Sequence, residues 1–197
     1  MKLIPKNTIY FLILLTFSTF LGLTSCNNTS QVKINIHFDL NGLLDAQIVL
    51  LEQLAPKVNK STITNGEKEA KEVKIKKWAN ELAMFRQADI NKSGLKGSYQ
   101  IKDSISKSGE KFTVYTTDKA HLNVKYLRIG SGKNINSIYA VLVNDNYLYH
   151  ADKQFALFFT ANAEGKPLLK NYSIRGNQKI IFTNPENYLI EAECLMP

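Results

Sequence analysis

Ile138-Tyr139-Ala140-Val141-Leu142-Val143 is apolar at every position. A strand with one wet face alternates, so a short run that is apolar on both faces belongs in the interior of a sheet. With this run as a central strand, the chain on either side reads as its neighbours. Upstream, Tyr99, Ile101 and Ile105 alternate before Ser106-Lys107-Ser108-Gly109. Phe112, Val114 and Thr116 follow, and Asp118-Lys119 turns the chain. Leu122, Val124 and Tyr126 share one parity and Leu127 and Ile129 the other, which predicts a bulge or a change of face before the turn at 130–134. Downstream, Asp145-Asn146 is the expected turn into Tyr147-Leu148-Tyr149-His150. Phe155 to Phe159 is either the far end of that strand or a separate one. Further strands are expected over 168–175, 179–183 and, beyond Asn184-Pro185, 188–195. Short loops between successive strands imply antiparallel neighbours, hence a meander of about seven strands.

The chain before Tyr99 has a different period. Val32 to Phe38 alternates and suits a short strand or an extended lead-in. Asp39 or Asn41 can cap a helix carrying Leu40, Leu43, Leu44, Ile48, Leu51 and Leu54 at helical spacing up to Pro56. Residues 57–73 read as a polar ribbon around Asn65-Gly66, a dipeptide suited to a type I′ turn because both positions need positive φ. A two-residue loop there pairs Thr64 with Glu67 and Val58 with Val73. Its lysines and glutamates predict a solvated surface excursion, with a flap over a site as the functional alternative. Ile75, Trp78, Leu82 and Phe85 then predict a second helix over 74–90, with Trp78 packing it onto the sheet. Lys68, Lys71, Lys74, Lys76 and Lys77 cluster locally but are interspersed with Glu67, Glu69, Glu72 and Glu81, so they predict a solvated face.

The expected architecture is therefore α+β: two helices packed on a curved antiparallel sheet of about seven strands, plus a polar hairpin. In element order this resembles the half-barrel of lipoprotein carrier proteins, or a cystatin-like sheet wrapped around a helix. Such a likeness bears on fold and carries no function with it.

The N-terminus bears on address. Lys2 and Lys6 precede an apolar run from Ile9 to Leu23, shorter than the roughly 20 residues a membrane-spanning helix needs. The run stops at Leu23-Thr24-Ser25-Cys26 and passes into the polar Asn27-Asn28-Thr29-Ser30-Gln31. Leu23-Thr24-Ser25-Cys26 resembles the lipobox of bacterial lipoproteins, with small Ser25 before the acceptor thiol. The resemblance implies a signal peptide over 1–25, lipidation at Cys26, a lipidated tether over 26–31 and one α+β domain over 32–197. Each buried methylene adds about 0.8 kcal/mol and one acyl chain holds only marginally, so a durable anchor takes two or three. Asn27 is not the aspartate that retains some lipoproteins in the inner membrane, and no acidic cluster of the surface-export kind follows. The expected location is the outer membrane, lipid-anchored and facing the periplasm. In address, length and element order the chain resembles small uncharacterised lipoproteins common in Bacteroidota, which brings no known activity.

Composition and motifs narrow the chemistry. The formal charge of +8 over 197 residues includes Lys2 and Lys6. The remainder is mildly basic, which favours anionic headgroups weakly and predicts no nucleic-acid partner. The chain has two cysteines; with Cys26 lipidated, Cys194 has no partner, and its apolar surroundings predict a buried, inert thiol. Gly130-Ser131-Gly132-Lys133 fails as a phosphate loop because Leu127 replaces its first glycine and Asn134 its metal-binding hydroxyl. His37, His121 and His150 are scattered, and none has metal-ligand spacing to another. His150 and Asp152 share a strand face without a nucleophile in view. The nine tyrosines suit strand positions and would line a groove if the sheet is concave. No catalytic, cofactor-binding or metal residue is therefore expected. The expectation is a non-enzymatic binding or interaction domain whose partners are the membrane through Cys26 and an envelope protein or apolar ligand. The alternatives are a carrier of lipid or another apolar ligand, or a structural accessory of an envelope complex.

Overall fold

A computed structural model describes residues 36–107 and 109–196, all within one compact unit. Cys26, its tether and most of the expected strand over 32–38 lie outside the described residues. Ile36 and His37 form a bend, their backbone N–H groups both donating to Asn91 Oδ1 (2.9 and 3.1 Å).

Helix α1 spans Leu40–Leu54. Of the two expected caps, Asp39 takes the role: its Oδ1 accepts from the Gly42 N–H at 2.9 Å. A Cβ on Gly42 would lie 2.4 Å from Asp39 Oδ2, so the glycine leaves room for the cap. Leu40, Leu44, Gln47 and Leu51 form the buried stripe. Ala55 ends the helix in the left-handed region (φ 45°), donating to the Leu51 carbonyl at 2.9 Å, and Pro56 forbids continuation.

Among the described residues, nine antiparallel strands form one open sheet: β1 (Lys57–Thr64), β2 (Glu67–Lys74), β3 (Gln100–Ile105), β4 (Lys111–Thr116), β5 (Val124–Ser131), β6 (Ile135–Asn146), β7 (Tyr149–Ala161), β8 (Pro167–Ile180) and β9 (Glu186–Leu195). Their order is β2-β1-β9-β8-β7-β6-β5-β4-β3. The last seven strands are the expected meander. The ribbon has its expected register, Thr64 opposite Glu67 and Val58 opposite Val73, with positive φ at Asn65 (50°) and Gly66 (93°). It is not a surface excursion, however: β1 pairs along its whole length with β9, Val58 opposite Cys194 and Thr64 opposite Tyr188. The sheet therefore has two more strands than expected. Charged β2 forms one edge, a composition that discourages pairing with another chain. The bulge expected near Tyr126 is also present, with Lys125 unpaired between Val124 and Tyr126 opposite β6.

The expected helix over 74–90 is not formed. Lys74 ends β2, and the segment continues as a single α-turn (α2, Trp78–Glu81) and a 3₁₀ helix over Ala83–Ala88. The segment travels from β2 at one edge of the sheet to β3 at the other. The apolar steps of three serve a 3₁₀ turn as well as an α-turn. Trp78, Leu82, Phe85, Ala88 and Ile90 all reach the core regardless of the change in backbone.

Two turns also sit elsewhere than expected. β7 is continuous from Tyr149 to Ala161, so Phe155–Phe159 is its far end, and Tyr147-Leu148 is the turn out of β6. β8 runs on to Ile180, and the turn into β9 begins at Ile181. In both places apolar residues occupy turn positions, against the usual preference for Asn, Asp and Gly.

Candidate functional site

Cross-strand register divides the sheet into a covered and an open face. One row runs Thr113, Ile129, Ile138, Leu157, Tyr172, Ala192, Lys60 and carries the side packed beneath α1 and the crossing segment. The adjacent row, Lys102, Val114, Arg128, Tyr139, Ala156, Ser173, Glu191, Ser61, points the other way.

The covered side is filled. Trp78, Phe85, Phe155 and Tyr172 are among its largest fully buried side chains. Phe85 packs on Phe155 (ring centroids 5.2 Å apart) and edge-on to Tyr172 (5.7 Å). Several polar groups on this side are paired, whereas His37 Nδ1 is buried without a partner. Gln47 Nε2 donates to the Pro167 carbonyl (2.9 Å) and its Oε1 accepts from the Leu169 N–H (2.8 Å), beside the bulge where Phe158 and Phe159 change register against β8. Asp89 accepts from Asn41 Nδ2 at 2.7 Å. Glu81 accepts from the Tyr172 hydroxyl and pairs with Lys60 Nζ at 2.6 Å, tying β1 and β8 to the crossing segment. Burial, with the Glu81 carboxylate behind it, pushes the Tyr172 phenol far above its ordinary range. Cys194 is buried as expected, and burial pushes its thiol up to about 12, leaving it protonated.

The residues singled out in the sequence do not converge. His37 packs edge-on to Tyr99 and Tyr115 (5.9 and 5.7 Å) near the start of β3. His150 lies on an exposed strand end, 3.4 Å from its cross-strand neighbour Asp145 and 4.0 Å from Asp152. Trp78 is a core residue and leaves no indole face for a ligand. Lys68, Lys71 and Lys74 line the outer strand β2, with Lys76 and Lys77 just beyond it. Gly130 to Lys133 is the β5–β6 turn. Among the described residues, no group of three or more His, Cys, Asp or Glu side chains could hold a metal ion.

The open face carries the feature that the sequence did not single out. Arg128 on β5 faces Val114 on β4 and Tyr139 on β6, both apolar in character. Its guanidinium lies 4.9 Å from the Phe112 ring centroid and 5.8 Å from that of Tyr139. Tyr126 stands edge-on to Tyr139 at 6.0 Å. Arg128 Nε is buried without a hydrogen-bond partner, and no carboxylate of the described residues lies within 4.0 Å of the guanidinium. Tyr126, Arg128, Tyr139 and Val141 line an open depression of about 380 Å³. Register places Lys102 and Arg128 on this half of the face, and Asp145, the β6 carboxylate of the same parity as Tyr139, lies toward the strand's end, 3.4 Å from His150. The β7–β9 half differs: Asp152, Arg175, Asn177, Asn187 and Leu189 line a shallow depression of about 430 Å³ with mixed charge. The sequence signal was Arg128 itself, a cation at a strand position between Leu127 and Ile129, but its aromatic neighbours come from other strands.

Comparison of the chain with protein-family models, curated proteins and solved structures finds no match.

Proposed function

We propose that this is a lipid-anchored envelope lipoprotein whose domain is a non-enzymatic recognition module, held at Cys26 in the outer membrane and facing the periplasm. Its binding surface is the open face between β4 and β6, and its partner presents an acidic segment of another envelope protein. The observation that carries this reading is Arg128, stacked on Phe112 and Tyr139 without a carboxylate. Arginine and aromatic residues dominate the energetics of protein interfaces, and a desolvated guanidinium pairs strongly with a carboxylate. A carrier role has less support: the space between sheet and helices, where a half-barrel would hold an apolar ligand, is occupied by Trp78, Phe85, Phe155 and Tyr172.

Site-specific photo-crosslinking in cells tests the surface. A benzophenone side chain at Tyr126 should give a discrete adduct, while one at exposed Val49 on α1 should not. No adduct at Tyr126, or the same adduct from Val49, would sink the assignment. The anchor has a separate test: Cys26→Ala should abolish lipid labelling and block normal processing, and persistent labelling would refute it.

A further inference from the structure

The two apolar turns meet at one end of the sheet. Tyr147 and Leu148 form the β6–β7 turn, and Ile180, Ile181 and Phe182 lead from β8 into the next turn. The Ile181 N–H donates to the Leu148 carbonyl at 3.0 Å, joining the turns into one tip. The tip is ordered by its own bonds. Asn146 Oδ1 accepts from the N–H groups of Leu148 and Tyr149 (3.0 and 3.1 Å), and the Thr183 N–H donates to the Ile180 carbonyl at 3.1 Å. All five apolar side chains are exposed, Tyr147 at 91% and Phe182 at 98%. Phe182 also holds a left-handed backbone (φ 66°), a conformation that bulky side chains avoid at a cost of about 1–2 kcal/mol. Folding gains nothing from this arrangement, because Phe182 touches no core.

We infer that this tip is a second membrane contact, inserting its apolar side chains into the headgroup region of the bilayer. Three observations favour a lipid surface. The tip presents exposed side chains from two turns, as insertion into a deformable medium requires. Its end of the sheet is also the end where the described chain begins: His37 packs on Tyr99 and Tyr115, beside the start of β3 and the end of β4. From β4 to β7 is three strand spacings, roughly 14 Å. Cys26 to Ile36 spans at most about 35 Å when extended, so a bilayer holding Cys26 lies within reach of the tip. Finally, Lys2 and Lys6 aside, the chain keeps 23 Lys and Arg against 17 Asp and Glu, suiting an anionic surface. The inference rests on the lipid-anchored reading only for the membrane being near. Two contacts would fix the orientation of the domain, which a single point of attachment does not.

The single tryptophan, Trp78, is buried, so an added surface tryptophan is readable against it. Phe182→Trp is made in the full chain, with Ile105→Trp, at the opposite end of the sheet and 69% exposed, as its counterpart. Each processed protein is mixed with phosphatidylethanolamine–phosphatidylglycerol vesicles whose acyl chains are brominated. A side chain ~5–10 Å into the boundary should lose about half its emission, so Phe182→Trp should be quenched about twofold and Ile105→Trp not. Equal quenching at both positions would overturn the inference. So would no quenching of Phe182→Trp in a chain that sediments with the vesicles, which leaves the anchor standing. A chain that stays in solution unquenched overturns the tip and removes support from the anchor as well.

Discussion

Cys194 on β9 and Gln47 on α1 show how single residues are set by the covered side of the sheet. With its thiol pushed up to about 12 by burial, Cys194 should react with a disulfide reagent at pH 8 roughly 10³-fold more slowly than an ordinary thiol of pKa ~8.5. Stopped-flow thiol titration checks this, and reaction at the unhindered rate would contradict the buried setting. The sign for stability follows. Cys194 and Tyr172 both hold their protons more tightly folded than unfolded, so their contribution is fully present below the unfolded thiol value. It is lost as pH rises from there toward the folded one, and alkaline denaturation curves should show it. Gln47 satisfies two backbone groups at the bulge of β8, so Gln47→Leu should cost about 1–3 kcal/mol in urea unfolding. Ala55 is a left-handed C-cap, and Ala55→Gly should stabilise by roughly 0.5–1 kcal/mol in the same assay.

Among elements, the ribbon and the crossing segment separate what local pattern specifies from what topology specifies. The Asn65-Gly66 turn and its register were legible because a type I′ turn is a local requirement. That β1 would also pair with β9, more than 120 residues away, had no local signal; Val58 alone hinted at a buried side. Hydrogen exchange distinguishes a ribbon from a sheet strand. Amides of β1 that point to β9 should be protected at least about 100-fold more than those of the edge strand β2, and equal protection would contradict the pairing. For the crossing segment, the apolar spacing named the core residues Trp78, Leu82 and Phe85 but not their backbone, because a period near three suits both helix types. The misplaced turns have a different cause. Tyr147-Leu148 and Ile181-Phe182 read as strand because turn chemistry is normally polar, and local rules fail most often where a surface has another task.

At the scale of the molecule, among the described residues, one main helix and a crossing segment cover one face of a nine-stranded sheet and leave the other open. The α+β class and the seven-strand meander were legible from hydrophobic period and loop length. The Arg128 cluster was not, since Phe112, Tyr126, Arg128 and Tyr139 come from three strands and meet only through register. With the proposed function, the molecule has three separate surfaces: an anchor at Cys26, an apolar tip at the end of the sheet near Ile36, and an open face on which Arg128 reads an acidic group of a partner. The direct measurement is the yield of the Tyr126 photo-adduct in cells, compared between the natural chain and Arg128→Glu. Loss of a charged hydrogen bond costs about 1.5–3 kcal/mol, so the account predicts that the adduct falls roughly tenfold or more while the protein level holds. An unchanged adduct in Arg128→Glu would contradict it.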